Sequence, residues 1–204
     1  MDIETSTATQ QIRHPDYKTH RFQKPGSGWC GPTVLQMMLL KAGIEKSQEE
    51  IANATLSDGK PLYDPAWGSS HKRINEYLGM HFDIHGIEAN SSLDRIAEFL
   101  EKGYEVMVNI MGIDLTDEGD VDKGGHYVRV ESYDKKTEII KIFDPSNGTR
   151  PDGKQGVYEL NAKDEFEPYW WDYATLADEK NKMPTEHWLA YADPNSAKTT
   201  GKIQ

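Results

Sequence analysis

Near Gly103 the hydrophobic period of this 204-residue chain changes. Upstream, apolar residues recur at helical spacing. Downstream they come in short blocks bounded by turn formers, the pattern of strands. Helices first and sequence-adjacent strands afterwards define the α+β class, with a helical lobe packed on an antiparallel sheet lobe. The first predicted helix begins at Cys30 and carries Val34, Leu35, Met38, Leu39 and Ala42 on one face. Pro32 is tolerated in its first turn, and Gly43 is its stop. Ser47 and Glu50 have the spacing of a capping box. Residues 69–80 and 92–103 read as two more helices. Strands are expected over 104–112, 126–134, 138–145 and 156–160, with a turn at "DKKT" between the second and third. A short helix broken by Pro168 and a last strand in "EHWLAYAD" complete the list.

The chain is one domain in size, and its 36% apolar content, with five Trp and ten Tyr, suffices for one aromatic-rich core. Residues 1–20 are expected to form a flexible N-terminal arm, 21–194 a single domain and 195–204 a polar tail. The formal charge is −11, and no run of Lys and Arg suggests a nucleic-acid partner. No apolar stretch reaches the ~18 residues of a membrane span. The start, "MDIETSTATQQ", lacks a basic-then-apolar signal pattern. The expected location is therefore cytosolic, or secreted with the signal segment absent from this sequence. A single cysteine excludes an intrachain disulfide and a multi-cysteine zinc site.

That cysteine stands in "GSGWCGPTVLQMML", residues 26–39. A lone cysteine is most often a small buried hydrophobe. Cys30 instead sits where a helix starts, and the free N–H groups and positive dipole end there favour a thiolate. Glycines at 26, 28 and 31 leave room for a bound substrate's backbone. A thiolate nucleophile needs a base, an orienting group and an oxyanion donor. Among seven histidines, His14 and His20 fall in the polar arm, His71 on a polar helix face and His187 near the C-terminus. His126 follows two glycines and opens a strand, so it can face a cleft; the plain alternative is a surface histidine. Asp144 ends the neighbouring strand, although Asp-Pro-Ser-Asn is also a turn former. A hairpin turning about residue 135 sets Asp144 directly across from His126. Gln23, seven residues before Cys30, has a side-chain amide that can donate to an oxyanion.

Gln23 with "WCGPTVLQMML", then "GGHYVRV", then "IFDPS" resembles the stand-alone C39-like branch of the papain-like cysteine peptidases, over about residues 21 to 191. The resemblance implies a papain-like fold, a helical lobe carrying the cysteine and a sheet lobe carrying histidine and aspartate. It implies Cys30 as nucleophile, His126 as base, Asp144 as orienter and Gln23 as oxyanion donor, acting on a peptide or protein without a cofactor. The acidic run "DLTDEGDVDKGG", residues 114–125, looks like a lengthened connection. The same thioester chemistry would serve a papain-like acyltransferase of the transglutaminase type. A binding module for peptide or glycan, with a lapsed site, is the rival outside enzymes.

Other signals are weaker. "GTRPDGKQ", residues 148–155, nearly spells a P-loop, but Gln155 replaces the Mg²⁺-binding hydroxyl and a strand follows. "HFDIH", residues 81–85, puts two His and Asp83 on one face if it is a strand, yet it lacks a further zinc ligand. Asp114, Asp117, Asp120 and Asp122 miss the calcium-loop spacing. "PYWW", residues 168–171, reads as core.

Overall fold

Helix α1 (Cys30–Lys41) is enclosed on nearly every side, with residues 31–35 and 37–39 all buried. It is the central rod of a helical layer rather than a surface helix with one apolar face. Truncating a residue such as Leu35 would cost about 2–5 kcal/mol. The computed structural model describes residues 18–110, 125–146, 156–170 and 187–198. At the C-terminal end of α1, Gly43 and Ile44 donate to Leu40 and Leu39, the paired bonds of a Schellman closure. Helix α2 (Gln48–Ala52) starts on the expected Ser47/Glu50 capping box. Helix α3 (His71–His81) is capped by Ser70. Helix α4 (Leu93–Glu101) is capped by Ser92.

The described strands are β1 (His85–Glu88), β2 (Glu105–Ile110), β3 (His126–Asp134), β4 (Ile139–Phe143), β5 (Val157–Asn161) and β6 (Leu189–Ala192). They form one antiparallel sheet in the order β1-β6-β2-β3-β4-β5. Alternation along the strands splits the core in two. Met107, Tyr127, Phe143 and Trp188 join α1, α2 and α3 in one cluster. Val106, Val108, Val128 and Ile142 join α4 and Trp170 in the other. The expected helical lobe against an antiparallel sheet is therefore present, with α4 on the opposite face. The expected helix after β5 is a five-residue π-helix (Ala162–Phe166) followed by a 3-10 turn (Glu167–Tyr169) that holds Pro168.

Several expectations are corrected. "HFDIH" is not a strand: His81 closes α3, Phe82 leaves the helix, and β1 begins only at His85. The two histidines therefore do not share a strand face. The turn between β3 and β4 occupies 135–138, later than "DKKT", so Asp134 faces Ile139. The ladder then shifts at Glu131, an extra residue on β3 that leaves Arg129 facing Phe143. Continued by one residue, this register puts Asp144 across from Val128, not across from His126 as expected.

The bulge has a consequence for the site. Without it, Asp144 would continue opposite Arg129, on the face of the sheet away from His126. With it, Asp144 and His126 share a face as diagonal neighbours, close enough for their side chains to meet.

The described residues of both expected termini enter the fold. Thr19 is buried, and Arg129 Nη1 donates to its hydroxyl at 2.6 Å. At the other end Ala197 bridges Phe82, and Lys198 N–H donates to the His81 carbonyl. The acidic run 114–123 and the "GTRPDGKQ" segment lie outside the described residues, as does Trp171 of "PYWW". Trp170 of that motif is fully buried and donates from Nε1 to the Trp188 carbonyl at 2.6 Å.

Candidate active site

The N-terminus of α1 meets the end of the sheet at Cys30. No side chain caps this helix, so its first N–H groups stay available near the cysteine. Pro32 contributes no donor, which leaves the N–H groups of Cys30 and Gly31. The Cys30 sulfur is in hydrogen-bond contact with the His126 side chain and with the N–H groups of Tyr127 and Gly31. The backbone that opens β3 thus touches the sulfur alongside the histidine.

His126 Nε2 lies 2.6 Å from Asp144 Oδ1. With Nε2 engaged there, Nδ1 is the ring nitrogen left for the sulfur. Asp144 is 2% exposed, and the same Oδ1 accepts the Ser146 N–H at 2.8 Å. Asp144 N–H donates to Gly156 at 2.7 Å, which fixes the carboxylate from the β5 side. Gln23 is half-buried, and its N–H donates to the Pro145 carbonyl at 2.8 Å. The structure thus brings Cys30, His126 and Asp144 into one chain of contacts, and pins Gln23 beside the residue that follows Asp144.

Burial alone pushes the Cys30 thiol up, but the hydrogen bond and charge of His126, with the Tyr127 and Gly31 N–H groups, bring it below its ordinary value. Burial pushes the His126 imidazole down, and the charge of Asp144 and the bonds to Asp144 and Cys30 carry it well above its usual value. Asp144 is raised by burial and lowered further by His126 and Ser146, ending below the carboxylate range. All three directions favour the charged forms: thiolate, imidazolium and carboxylate.

Gly28 and Gly31 serve the protein's own packing, whereas a side chain on Gly26 would meet open space. A side chain on Gly31 would come within 3.1 Å of Ser69 and 3.3 Å of the Tyr127 ring. One on Gly28 would come within 2.8 Å of the Tyr63 hydroxyl. Their expected role in admitting substrate backbone is therefore not needed to explain them. Sequence reasoning missed the Tyr127 N–H, since any residue after His126 supplies it. His71 is not on a polar face. It is buried and stacks on Trp188 at 3.7 Å. Nor is His20 in a loose arm: it stacks on Phe143 at 4.0 Å and lies 3.3 Å from Glu131. His14 lies outside the described residues. Among the described residues no group of three His, Cys, Asp or Glu side chains is placed to hold a metal ion. No helix there is long and apolar enough to cross a membrane.

The profile of the Peptidase_C39 like family matches residues 7–178. No curated protein matches the chain. Among solved structures, a C39-like peptidase from Bacillus anthracis superposes with a TM-score of 0.55 at 18% identity, covering 89% of this chain and 98% of that one. It shares the fold. Xylellain, a cysteine protease from Xylella fastidiosa, matches at 10% identity and a TM-score of 0.41, covering 88% and 90% of the two chains.

Proposed function

This chain belongs to the Peptidase_C39 like family, and from that premise we propose that it is a cysteine peptidase acting through Cys30, His126 and Asp144, with Gln23 as oxyanion donor. The observation that carries the reading is the 2.6 Å contact of His126 with a buried Asp144, made by a ring that also contacts the sulfur at a helix start. The thiolate attacks the peptide carbonyl, and the carbonyl π electrons move onto oxygen. The Gln23 amide and the Cys30 N–H stabilise that oxyanion. His126 gives its proton to the leaving amine as the C–N bond breaks, leaving an acyl-thioester. His126 then takes a proton from water, hydroxide adds to the thioester, and the C–S bond breaks to restore the thiolate.

The active form has Cys30 deprotonated while His126 remains protonated. Cys30 is lowered, so activity is lost only as pH falls below a value under the ordinary thiol pKa of about 8.5. His126 is raised, so activity is lost again only above the ordinary imidazole value of about 6.5. Turnover of a peptide library, followed by mass spectrometry across pH, tests both chemistry and window. The expected result is cleaved peptides and a bell-shaped kcat/KM with those limbs. Ligated products would indicate acyl transfer, and absence of turnover at every pH would indicate a lapsed binding module.

Asp144→Asn isolates the carboxylate's charge. Ser146 N–H holds the side-chain oxygen at the position that meets His126, so asparagine keeps the ring's orientation. We expect kcat/KM to fall by roughly 10-fold, well short of the ~10⁴ seen when a serine triad loses its carboxylate. The alkaline limb should move to lower pH, because the charge that raises His126 is gone. Asp144→Ala should cost more, since it frees the ring as well. Equal losses for Asn and Ala, with no movement of the alkaline limb, would remove Asp144 from the mechanism.

A further inference from the structure

We propose that Thr19 and His20 are positioning residues for Gln23, holding residues 19–23 as a strap across β3 and β4 through a buried charged cluster. The inference rests on the reading of Gln23 as oxyanion donor. Arg129 and Glu131 sit on the α1 face of β3 and are 1% and 2% exposed, while Glu105 on β2 is fully buried. Arg129 Nε lies 2.7 Å from Glu105 and 3.4 Å from Glu131. Its Nη1 donates to Thr19 Oγ1 at 2.6 Å. Glu131 in turn reaches His20 Nε2 at 3.3 Å, and the His20 ring lies on Phe143.

Charged groups are rarely placed this deep without a use, because desolvation offsets most of the attraction between them. Here the groups that emerge from the sheet hold the Thr19 hydroxyl and the His20 ring, on the segment that leads to Gln23. Downstream of that grip the segment turns outward: Phe22, Lys24, Pro25 and Gly26 are exposed. It is held there by the Gln23–Pro145 bond and by Gln48, which donates to the Phe22 carbonyl at 2.7 Å and accepts the Lys24 N–H at 3.1 Å. Thr19 and His20 therefore close the upstream end of a strap whose downstream end carries the amide. The Glu131 bulge serves the site twice, bringing Asp144 to the His126 face and presenting the carboxylate that holds His20.

The experiment is a double-mutant cycle on kcat, with KM and the Cys30 alkylation rate as controls. Thr19→Val removes the hydroxyl at nearly constant volume, and Thr19→Ser keeps it. Loss of an oxyanion donor outright costs about 10²–10³ in kcat, and a displaced donor costs less. Thr19→Val should lower kcat by roughly 10-fold and leave KM and alkylation unchanged, because thiolate formation does not involve Gln23. Thr19→Ser should restore kcat. In a Gln23→Ala background Thr19→Val should have no further effect. His20→Phe, which keeps the ring stack and removes the Glu131 contact, is a second variant with the same expected pattern. Wild-type kcat in both variants, or an equal loss in the Gln23→Ala background, would overturn the proposal. Unchanged kcat in Gln23→Ala alone would instead remove the oxyanion reading on which it rests.

Discussion

Cys30→Ala is expected to abolish peptide cleavage, lowering kcat on the order of 10⁵-fold or more, as when a covalent nucleophile is removed elsewhere. No other residue offers a nucleophilic thiol, since the chain has one cysteine. The fold should survive. The substitution removes a single sulfur atom, and the variant keeps the His126–Asp144 contact. Stability should be equal or slightly higher, because the desolvated charge is removed, and active sites commonly sacrifice stability in this way. The measurement is kcat/KM beside a melting curve. Residual activity near wild type would end the account of Cys30 as nucleophile.

His126→Ala should cost roughly 10⁴-fold in kcat/KM, the upper range for removing a general acid–base group. Unlike Cys30→Ala, it should also destabilise, by roughly 3 kcal/mol, because it strands the carboxylate of a buried pair. Asp144 would keep the Ser146 N–H but lose its cation. The sign with pH follows. In the wild type His126 holds Asp144 below its unfolded value, a stabilisation present at neutral pH and lost as pH falls, so the variant's deficit shrinks as pH falls. A melting temperature equal to wild type at neutral pH would show that the 2.6 Å contact contributes nothing to stability.

Much of this was legible because local physics decides it. The start of α1, its stop at Gly43, the capping box at Ser47 and the bounds of β3 follow from nearest-neighbour chemistry. What stayed hidden was set at long range. β1 is four residues with no alternating pattern, and it is a strand because β6 pairs with it. β6 lies between β1 and β2, far from its sequence neighbour β5. The hairpin register turned on an extra residue at Glu131, whose contacts reach back to His20 across more than a hundred positions. His71 and His20 look polar in the sequence and are buried because Trp188 and Phe143 stack on them. At the site, residue types pointed to Cys30, His126 and Asp144, but the Tyr127 N–H belongs to no side chain and left no mark in the sequence.

The central claim is that Cys30 is held as a thiolate by His126. Its most direct test is the rate of Cys30 alkylation by iodoacetamide as a function of pH. Because the protein has one cysteine, no other thiol contributes to the signal. The account predicts a midpoint below the ordinary thiol value of about 8.5 in the wild type, and a midpoint shifted upward in His126→Ala, where burial is opposed only by the Tyr127 and Gly31 N–H groups. A single midpoint near 8.5 in both proteins would contradict it.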